Sequence, residues 1–358
     1  MYRNTKNVPY YVFGRGSLAQ LGELLKPRRE AVDGPVVYFV DHFFRDHELI
    51  GRLPMEKGDQ LHFVDSSSEP EVTRIDAFKE AVSATDSRTP CCVVGIGGGN
   101  ALDTAKAVAN LLTNPGKAED YQGWELVKNP AVYKIGIPTL SGTGSECSRT
   151  CVLTNIPKNL KLGMNSDYTV YDQLLLDPDL LATVPRDQYF YTGIDTFMHC
   201  VESLQGSYRN AIIDAFSVRA VQLCEEIFLS DDMMSEENRE KMMIASYIGG
   251  MAAGNVGVIH PFSAGLGVVL HVAHGLGNCL ALNVLGDIYP KEYKQFRTMI
   301  ERQGVNLPTG ICKDLTEEQY EGLYRGCIVH EKPLTNALGP DFKQILTREN
   351  LIERYKSI

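Results

Sequence analysis

Four residues in the second half of the chain have the types and spacing of a metal site: Asp195, His199, His260 and His274. Asp195 and His199 lie four apart in Gly-Ile-Asp-Thr-Phe-Met-His-Cys-Val-Glu, a stretch with helical character. That spacing stacks a carboxylate and an imidazole on one helix face. His260 and His274 belong to a later Gly-rich segment, His-Pro-Phe-Ser-Ala-Gly-Leu-Gly-Val-Val-Leu-His-Val-Ala-His-Gly. One carboxylate with up to three imidazoles suits a catalytic Zn²⁺ or Fe²⁺, whereas Ca²⁺ and Mg²⁺ prefer oxygen shells. On one straight helix, residues 260 and 274 would stand about 21 Å apart, at about 1.5 Å per residue. A shared ion therefore requires a bend, and Gly265 and Gly267 are the expected place. His271, three residues before His274, competes as the fourth ligand; with His274 preferred, it becomes the candidate catalytic residue, a proton relay. Glu202, one turn past His199, is expected on a solvated helix face, with orientation of His199 as the alternative.

The elements that must position these residues alternate in kind. Apolar runs at Tyr10–Phe13, Pro35–Val40, Leu61–Val64, Cys91–Ile96 and Tyr133–Pro138 are separated by helical segments. This rhythm predicts an α/β domain with a doubly wound, mostly parallel sheet and helices on both faces. After Asp177-Pro178-Asp179 the pattern turns wholly helical. The expected domains are thus residues 1–178, which bind a dinucleotide, and an all-helical, metal-binding 179–358.

Ligands of such sheets sit at the carboxyl ends of the strands. Here those ends carry Asp41, Gly97-Gly98-Gly99 and the loop from Thr139 to Ser145. Consecutive glycines let a phosphate approach the backbone, and the following helix supplies free N–H groups and a positive dipole. Asn100 as N-cap with Asp103 three residues on suggests a capping box. The segment is not the G-x-G-x-x-G fingerprint, because Asn100 replaces the last glycine, and no Gly-Lys-Ser/Thr follows as in a P-loop. Asp41 is placed to take ribose hydroxyls, and its charge would repel a 2′-phosphate, favouring NAD over NADP.

Composition narrows the partners. The 358 residues are 44% hydrophobic and 22% charged, as in a soluble globular protein, and the net charge of −10 argues against nucleic acid or an anionic membrane. The N-terminal residues lack a signal-peptide core, and no run approaches the ~20 apolar residues that span a bilayer. Nine cysteines without framework spacing are expected to be reduced packing residues in a cytoplasmic protein.

Together the motifs resemble the iron-dependent (group III) alcohol dehydrogenases, relatives of glycerol dehydrogenase and dehydroquinate synthase. The resemblance rests on Val-Phe-Gly-Arg-Gly-Ser-Leu, Gly-Gly-Gly-Asn-Ala-Leu-Asp-Thr-Ala-Lys, Pro-Thr-Leu-Ser-Gly-Thr-Gly-Ser-Glu, the Asp-x₃-His helix and the separation of His260 from His274. It implies a nicotinamide cofactor held by Asp41, Gly98, Gly99, Asn100, Asp103, Thr139, Ser141, Thr143, Ser148 and Lys161, with the cofactor and a divalent metal in the cleft between the domains. It also implies hydride transfer from an alcohol to the nicotinamide. The expected assembly is a homodimer. One departure stands out: Ala264 occupies the place of the second histidine of the family's His-x₃-His, which is credited with proton relay, so His271 becomes its substitute.

Within that family, Tyr121–Trp124, Ser148–Asn155 and Lys161–Asp167 are similar to the 3-deoxy-D-manno-octulosonate (Kdo) 8-oxidase type. This implies oxidation of a sugar acid's C8 alcohol to an aldehyde, on which an aminotransferase then acts in lipopolysaccharide synthesis. Arg149 and Lys161 are the cations expected near the substrate carboxylate. The alternatives are another polyol or alcohol dehydrogenase, or a metal-dependent lyase or cyclase like dehydroquinate synthase.

Overall fold

The computed structural model describes residues 6–158 and 160–358. The chain divides into two compact units, residues 1–140 with 145–183, and residues 141–144 with 184–358. The units divide at residue 183, near the expected 178, and a four-residue excursion joins the helical unit. The excursion has a steric reason. Gly142 has φ 147° and a Cβ there would lie 1.7 Å from the Thr192 carbonyl, while its N–H and C=O bond Ser246 and Thr196 at 2.8 and 2.9 Å.

Among the described residues the first unit has nine strands: β1 Tyr10–Phe13, β2 Val36–Asp41, β3 Gln60–Val64, β4 Cys92–Gly97, β5 Gly123–Trp124, β6 Lys134–Pro138, β7 Thr150–Asn155, β8 Leu160–Asn165 and β9 Gln173–Leu176. Six form an all-parallel sheet in the order β1-β9-β6-β4-β2-β3. Its helices are α1 Leu21–Ala31, α2 Val72–Thr85 and α3 Gly99–Leu111. Both sheet faces are buried, which explains why the central strands are unbroken apolar runs rather than alternating ones. Val37, Phe39 and Val93 pack toward α2 and α3, whereas Val36, Tyr38, Val40, Val94 and Ile96 pack toward α1. From β2 the chain winds outward to β3, then returns across β2 to β4 and winds the other way. The carboxyl ends of β2 and β4 thus flank the switch point of the sheet, the usual ligand position.

A second, three-stranded sheet, β5-β8-β7, has no counterpart in the sequence expectations. Its strands are short and half-polar, and β7 and β8 pair antiparallel from Thr150↔Asn165 to Asn155↔Leu160. Ser17 opens a short 3₁₀ turn ahead of α1 and bonds the Leu176 carbonyl.

The second unit is helical: α4 Arg186–Gln205, α5 Ala211–Phe228, α6 Glu236–Gly249, α7 Ile259–Leu270, α8 His274–Val284, α9 Pro290–Gln303, α10 Glu317–Ile328, α11 Glu331–Leu338, α12 Phe342–Ile345 and α13 Arg348–Lys356. α7 runs straight through Gly265 and Gly267, so the expected bend is misplaced. It falls at His271, which ends α7 in the left-handed region at φ 54°, with α8 starting at His274. Gly265 serves close packing instead: a Cβ there would stand 2.5 Å from the Tyr355 hydroxyl and 2.7 Å from the Leu323 carbonyl, and a Cβ on Gly326 of α10 would stand 2.9 Å from the Gly265 Cα. All nine cysteines are buried and unpaired. Among the described residues no single helix is long and apolar enough to cross a membrane.

Candidate metal and cofactor sites

The metal candidates converge within the helical unit. Asp195 lies at the middle of α4, fully buried, with His199 one turn on and 4% exposed. α7 brings His260 from its first turn, and the bend at His271 returns His274 to the same point. Potential ligand atoms of Asp195, His260 and His274 all lie within 4.8 Å of one another. Each imidazole turns Nε2 toward the carboxylate: His260 is 3.1 Å from Oδ1, His274 3.4 Å from Oδ2 and His199 3.8 Å from Oδ1. The His199 and His260 rings stack at 4.4 Å.

Burial would push the Asp195 carboxyl up, but His199 and His274 beside it and the hydrogen bond from His260 hold it well below the ordinary range. Burial carries His199 down to about 3 despite Asp195. His260 is also opposed by burial, yet Glu202 and Asp195 outweigh it and raise the imidazole. These residues fit a divalent ion. Asp195 Oδ2 is buried without a hydrogen-bond partner, as are Nδ1 of His199 and Nδ1 of His274. A buried, unpartnered carboxylate oxygen facing imidazole nitrogens is costly unless a cation completes it.

Two neighbours differ from expectation: Glu202 has another role, and Asn278 was not foreseen. Glu202 is not on a solvated face: it is 1% exposed, and it bonds Nδ1 of His260 at 2.5 Å rather than orienting His199. Asn278 donates to Asp195 Oδ1 at 2.7 Å, with Nε2 of His274 3.3 Å away. A usable signal existed, since Asn278 is four residues past His274, the same spacing that linked Asp195 to His199. His271 stands apart from the cluster as the exposed end of α7.

Of the cofactor candidates of the α/β unit, Asp41, Gly98, Gly99 and Asn100 lie at the switch point, at the carboxyl ends of β2 and β4. Gly97 makes this possible: a Cβ there would meet Ala101 at 2.6 Å and Asp41 at 2.9 Å. Asp41 ends β2, and its Oδ1 accepts from Ser66 and from the Phe43 N–H. The expected capping box is absent. α3 starts at Gly99 with Gly98 as N-cap and no side-chain cap, leaving the first N–H groups of the helix for a ligand. Asn100 instead bonds the Ser68 carbonyl at 2.7 Å. Asp103 is 8% exposed and accepts from Ser145 Oγ and the Val152 N–H, which ties the loop after β6 to β7. Lys106, wholly buried and unremarked in the sequence, extends that tie to the Ser145 carbonyl and Ser148 Oγ.

Thr139 follows β6, and its N–H bonds the Gly97 carbonyl. Ser148 precedes β7, and Lys161 on β8 pairs with Glu69 at 3.0 Å. Ser141 and Thr143 belong to the excursion that groups with the helical unit. Arg149 is held by Glu125 and Asp167 at 2.5 and 2.6 Å. Both cations expected near a substrate carboxylate are therefore already in ion pairs.

Residues 9–178 match the family model for the iron-containing alcohol dehydrogenase, and residues 189–322 match the model for the C-terminal part of the Fe-containing alcohol dehydrogenase family. Among curated relatives, sulfoacetaldehyde reductase of Bilophila wadsworthia (strain 3_1_6) is 38% identical over 190 residues, covering 51% of this chain and 49% of that protein. The match thus spans about half the length of that relative. NAD-dependent methanol dehydrogenase of Bacillus methanolicus is 29% identical over 75% of this chain and 71% of its own length. Among solved structures, sulfoacetaldehyde reductase from Bifidobacterium kashiwanohense in complex with NAD⁺ superposes with a TM-score of 0.80 at 24% identity, covering 99% of this chain and 98% of that one. Alcohol dehydrogenase from Oenococcus oeni gives 0.83 at 21% identity, covering 99% of each chain. At these identities the structures establish the fold.

Proposed function

We infer the reaction from kinship: this chain belongs to the iron-containing alcohol dehydrogenase family. We propose a metal-dependent oxidoreductase that interconverts a primary alcohol and its aldehyde, with NAD as hydride acceptor. The observation that carries this reading is the buried Asp195 carboxylate faced by Nε2 of His199, His260 and His274, with Oδ2 lacking a hydrogen-bond partner.

Those four residues would hold the divalent ion, Fe²⁺ or Zn²⁺. When bound, it would polarise the substrate's C–O oxygen and stabilise the charge that develops there. The protein's own residues do the rest. The open N–H groups of α3 at Gly98, Gly99 and Asn100 take pyrophosphate, and Asp41 takes ribose hydroxyls. Asp103 holds the segment bearing Ser148, and Thr139, Ser141, Thr143, Ser148 and Lys161 complete the proposed cofactor set. His271, exposed and ahead of His274, is the proposed proton carrier in place of the histidine absent at Ala264. Domain limits at 178 and 179 and a homodimer belong to the same proposal.

The finer reading is oxidation of Kdo at C8 for 8-amino-Kdo lipopolysaccharide, with an aminotransferase consuming the aldehyde. Its support is local: the three segments similar to that type, Tyr121–Trp124, Ser148–Asn155 and Lys161–Asp167, include the strands of one small sheet. Sulfoacetaldehyde, named for one curated relative, is likewise an aldehyde bearing an anion.

The test is NADH formation by protein loaded with Fe²⁺ or Zn²⁺, compared across Kdo, other sugar acids, glycerol and simple alcohols, with sulfoacetaldehyde in the reverse direction. Kdo-dependent NADH supports the finer reading. Turnover of simple alcohols alone supports a general alcohol dehydrogenase, and product formation without net NADH supports the lyase alternative.

A further inference from the structure

The carboxylate of Glu202 is wholly buried, yet none of the proposed chemistry uses it. Its two oxygens have different duties. Oε2 meets Nδ1 of His260 at 2.5 Å. Oε1 accepts from the Ile259 N–H at 2.6 Å and from the Tyr289 hydroxyl at 3.3 Å, and that hydroxyl in turn accepts from the Val258 N–H at 3.0 Å. Val258 and Ile259 open α7, where N–H groups have no partner within the helix. Glu202 on α4 and Tyr289 at the start of α9 thus cap the helix whose second residue is His260. Space for the clamp depends on a missing side chain: a Cβ on Gly257 would stand 2.5 Å from the Tyr289 hydroxyl and 3.1 Å from Glu202 Oε1.

We propose that Glu202, supported by Tyr289 and Gly257, is a positioning residue that holds a proton on Nδ1 of His260, so that Nε2, the nitrogen turned toward Asp195, is the one that gives its lone pair to a cation held there. The reasoning is chemical. An imidazole can give a lone pair from one nitrogen only if the proton sits on the other, and a buried carboxylate beside Nδ1 holds the proton there. The same hydrogen bonds set the starting residue of α7, so one side chain controls both the rotation of the ring and the place of its backbone. The charge also adds a second buried anion near the cluster, which favours a divalent cation there.

The inference rests on the metal site proposed above, and the experiment separates the two. Binding of Co²⁺ and Zn²⁺ to apo protein is measured by chelator competition, together with the visible spectrum of the Co²⁺ form and the thermal midpoint of the apo protein. Variants are Glu202→Gln, Gly257→Ala, Tyr289→Phe and His260→Ala. Glu202→Gln keeps an acceptor but loses the charge. Its affinity is expected to fall about 10- to 100-fold, the size found for partners of metal-bound histidines, with an altered Co²⁺ spectrum. Gly257→Ala should shift affinity in the same direction, and Tyr289→Phe less. If His260→Ala loses metal while Glu202→Gln binds with wild-type affinity and spectrum, Glu202 has no positioning role. If His260→Ala retains metal, the metal-site reading itself fails. A Glu202→Gln protein that loses apo stability but keeps its affinity would make the residue purely structural and overturn the proposal.

Discussion

At the scale of single residues, the informative contrast is between Asp195 and Asp41. Asp195 is buried among imidazoles with one oxygen unpartnered, a state that calls for a cation. Asp41 is partly exposed, and one of its oxygens binds Ser66 and a backbone N–H. His260→Ala should therefore abolish stoichiometric metal by elemental analysis and lower kcat/KM by about 10³-fold, equivalent to roughly 4 kcal/mol of charge stabilisation. Asp41→Asn keeps the acceptor and removes the charge, so the ratio of NADP-linked to NAD-linked turnover should rise at least about tenfold. An unchanged ratio would remove Asp41 from cofactor choice. His271 allows a cleaner dissection than most catalytic candidates. Asn tolerates the left-handed region at least as well as His, whereas Val does not. His271→Asn should keep metal and stability while slowing turnover by about 10²-fold, the usual contribution of a proton carrier. His271→Val should instead cost about 1–2 kcal/mol of stability in denaturant titrations, from backbone strain alone.

At the scale of elements, stability depends on close approaches and on buried ties that motif reading passes over. Where α7 crosses α10, Gly265→Ala would gain up to about 1 kcal/mol of helix propensity, but its methyl group would press on Tyr355 and the Leu323 carbonyl. Overpacking costs about 1–3 kcal/mol, so a net loss is expected in urea unfolding. In the α/β unit Asp59 is the corresponding tie. Its oxygens receive both terminal nitrogens of Arg29 on α1, the N–H of Val36 at the head of β2 and the N–H of Glu56. Although burial pushes this carboxyl up, Arg29 and the two N–H groups hold it below its ordinary value. A lowered folded-state pKa means stability that is present above about pH 4 and lost as pH falls through the folded value. Asp59→Asn should therefore flatten the acid limb of stability below pH 4 and lower stability near neutrality by about 3 kcal/mol.

At the scale of the molecule, the proposed site, whose candidate ligands come from α4, α7 and α8, would couple metal binding to the stability of the helical unit. Free ion at 100 times its Kd would stabilise the fold by about 2.7 kcal/mol, so chelation should lower the thermal midpoint by roughly 5–10 °C in calorimetry. An unchanged midpoint would argue against a buried ion. Much of this organisation is written locally. Asp195 and His199 share a face because a helix repeats every 3.6 residues, and the buried runs of β2 and β4 announce a sheet covered on both sides. The Gly97–Gly99 cluster marks the turn from strand to helix. Local pattern fails where a residue's role depends on what packs against it. Gly265 looks like a hinge in one dimension and is a contact in three. Asn100 looks like a cap, but the cap is Gly98, two residues earlier, and the Asn100 amide reaches the Ser68 carbonyl. Glu202 falls on the same face as His199, yet only the arrival of α7 makes it a partner of His260. The amino-acid order by itself determined five strands of the main sheet, the candidate donors and the family resemblance, because these follow from short-range periodicity and side-chain chemistry. The convergence of His260 and His274 on Asp195, and the buried clamp behind His260, were decided by the tertiary structure, because they depend on the left-handed break at His271 and on helices far apart in the chain.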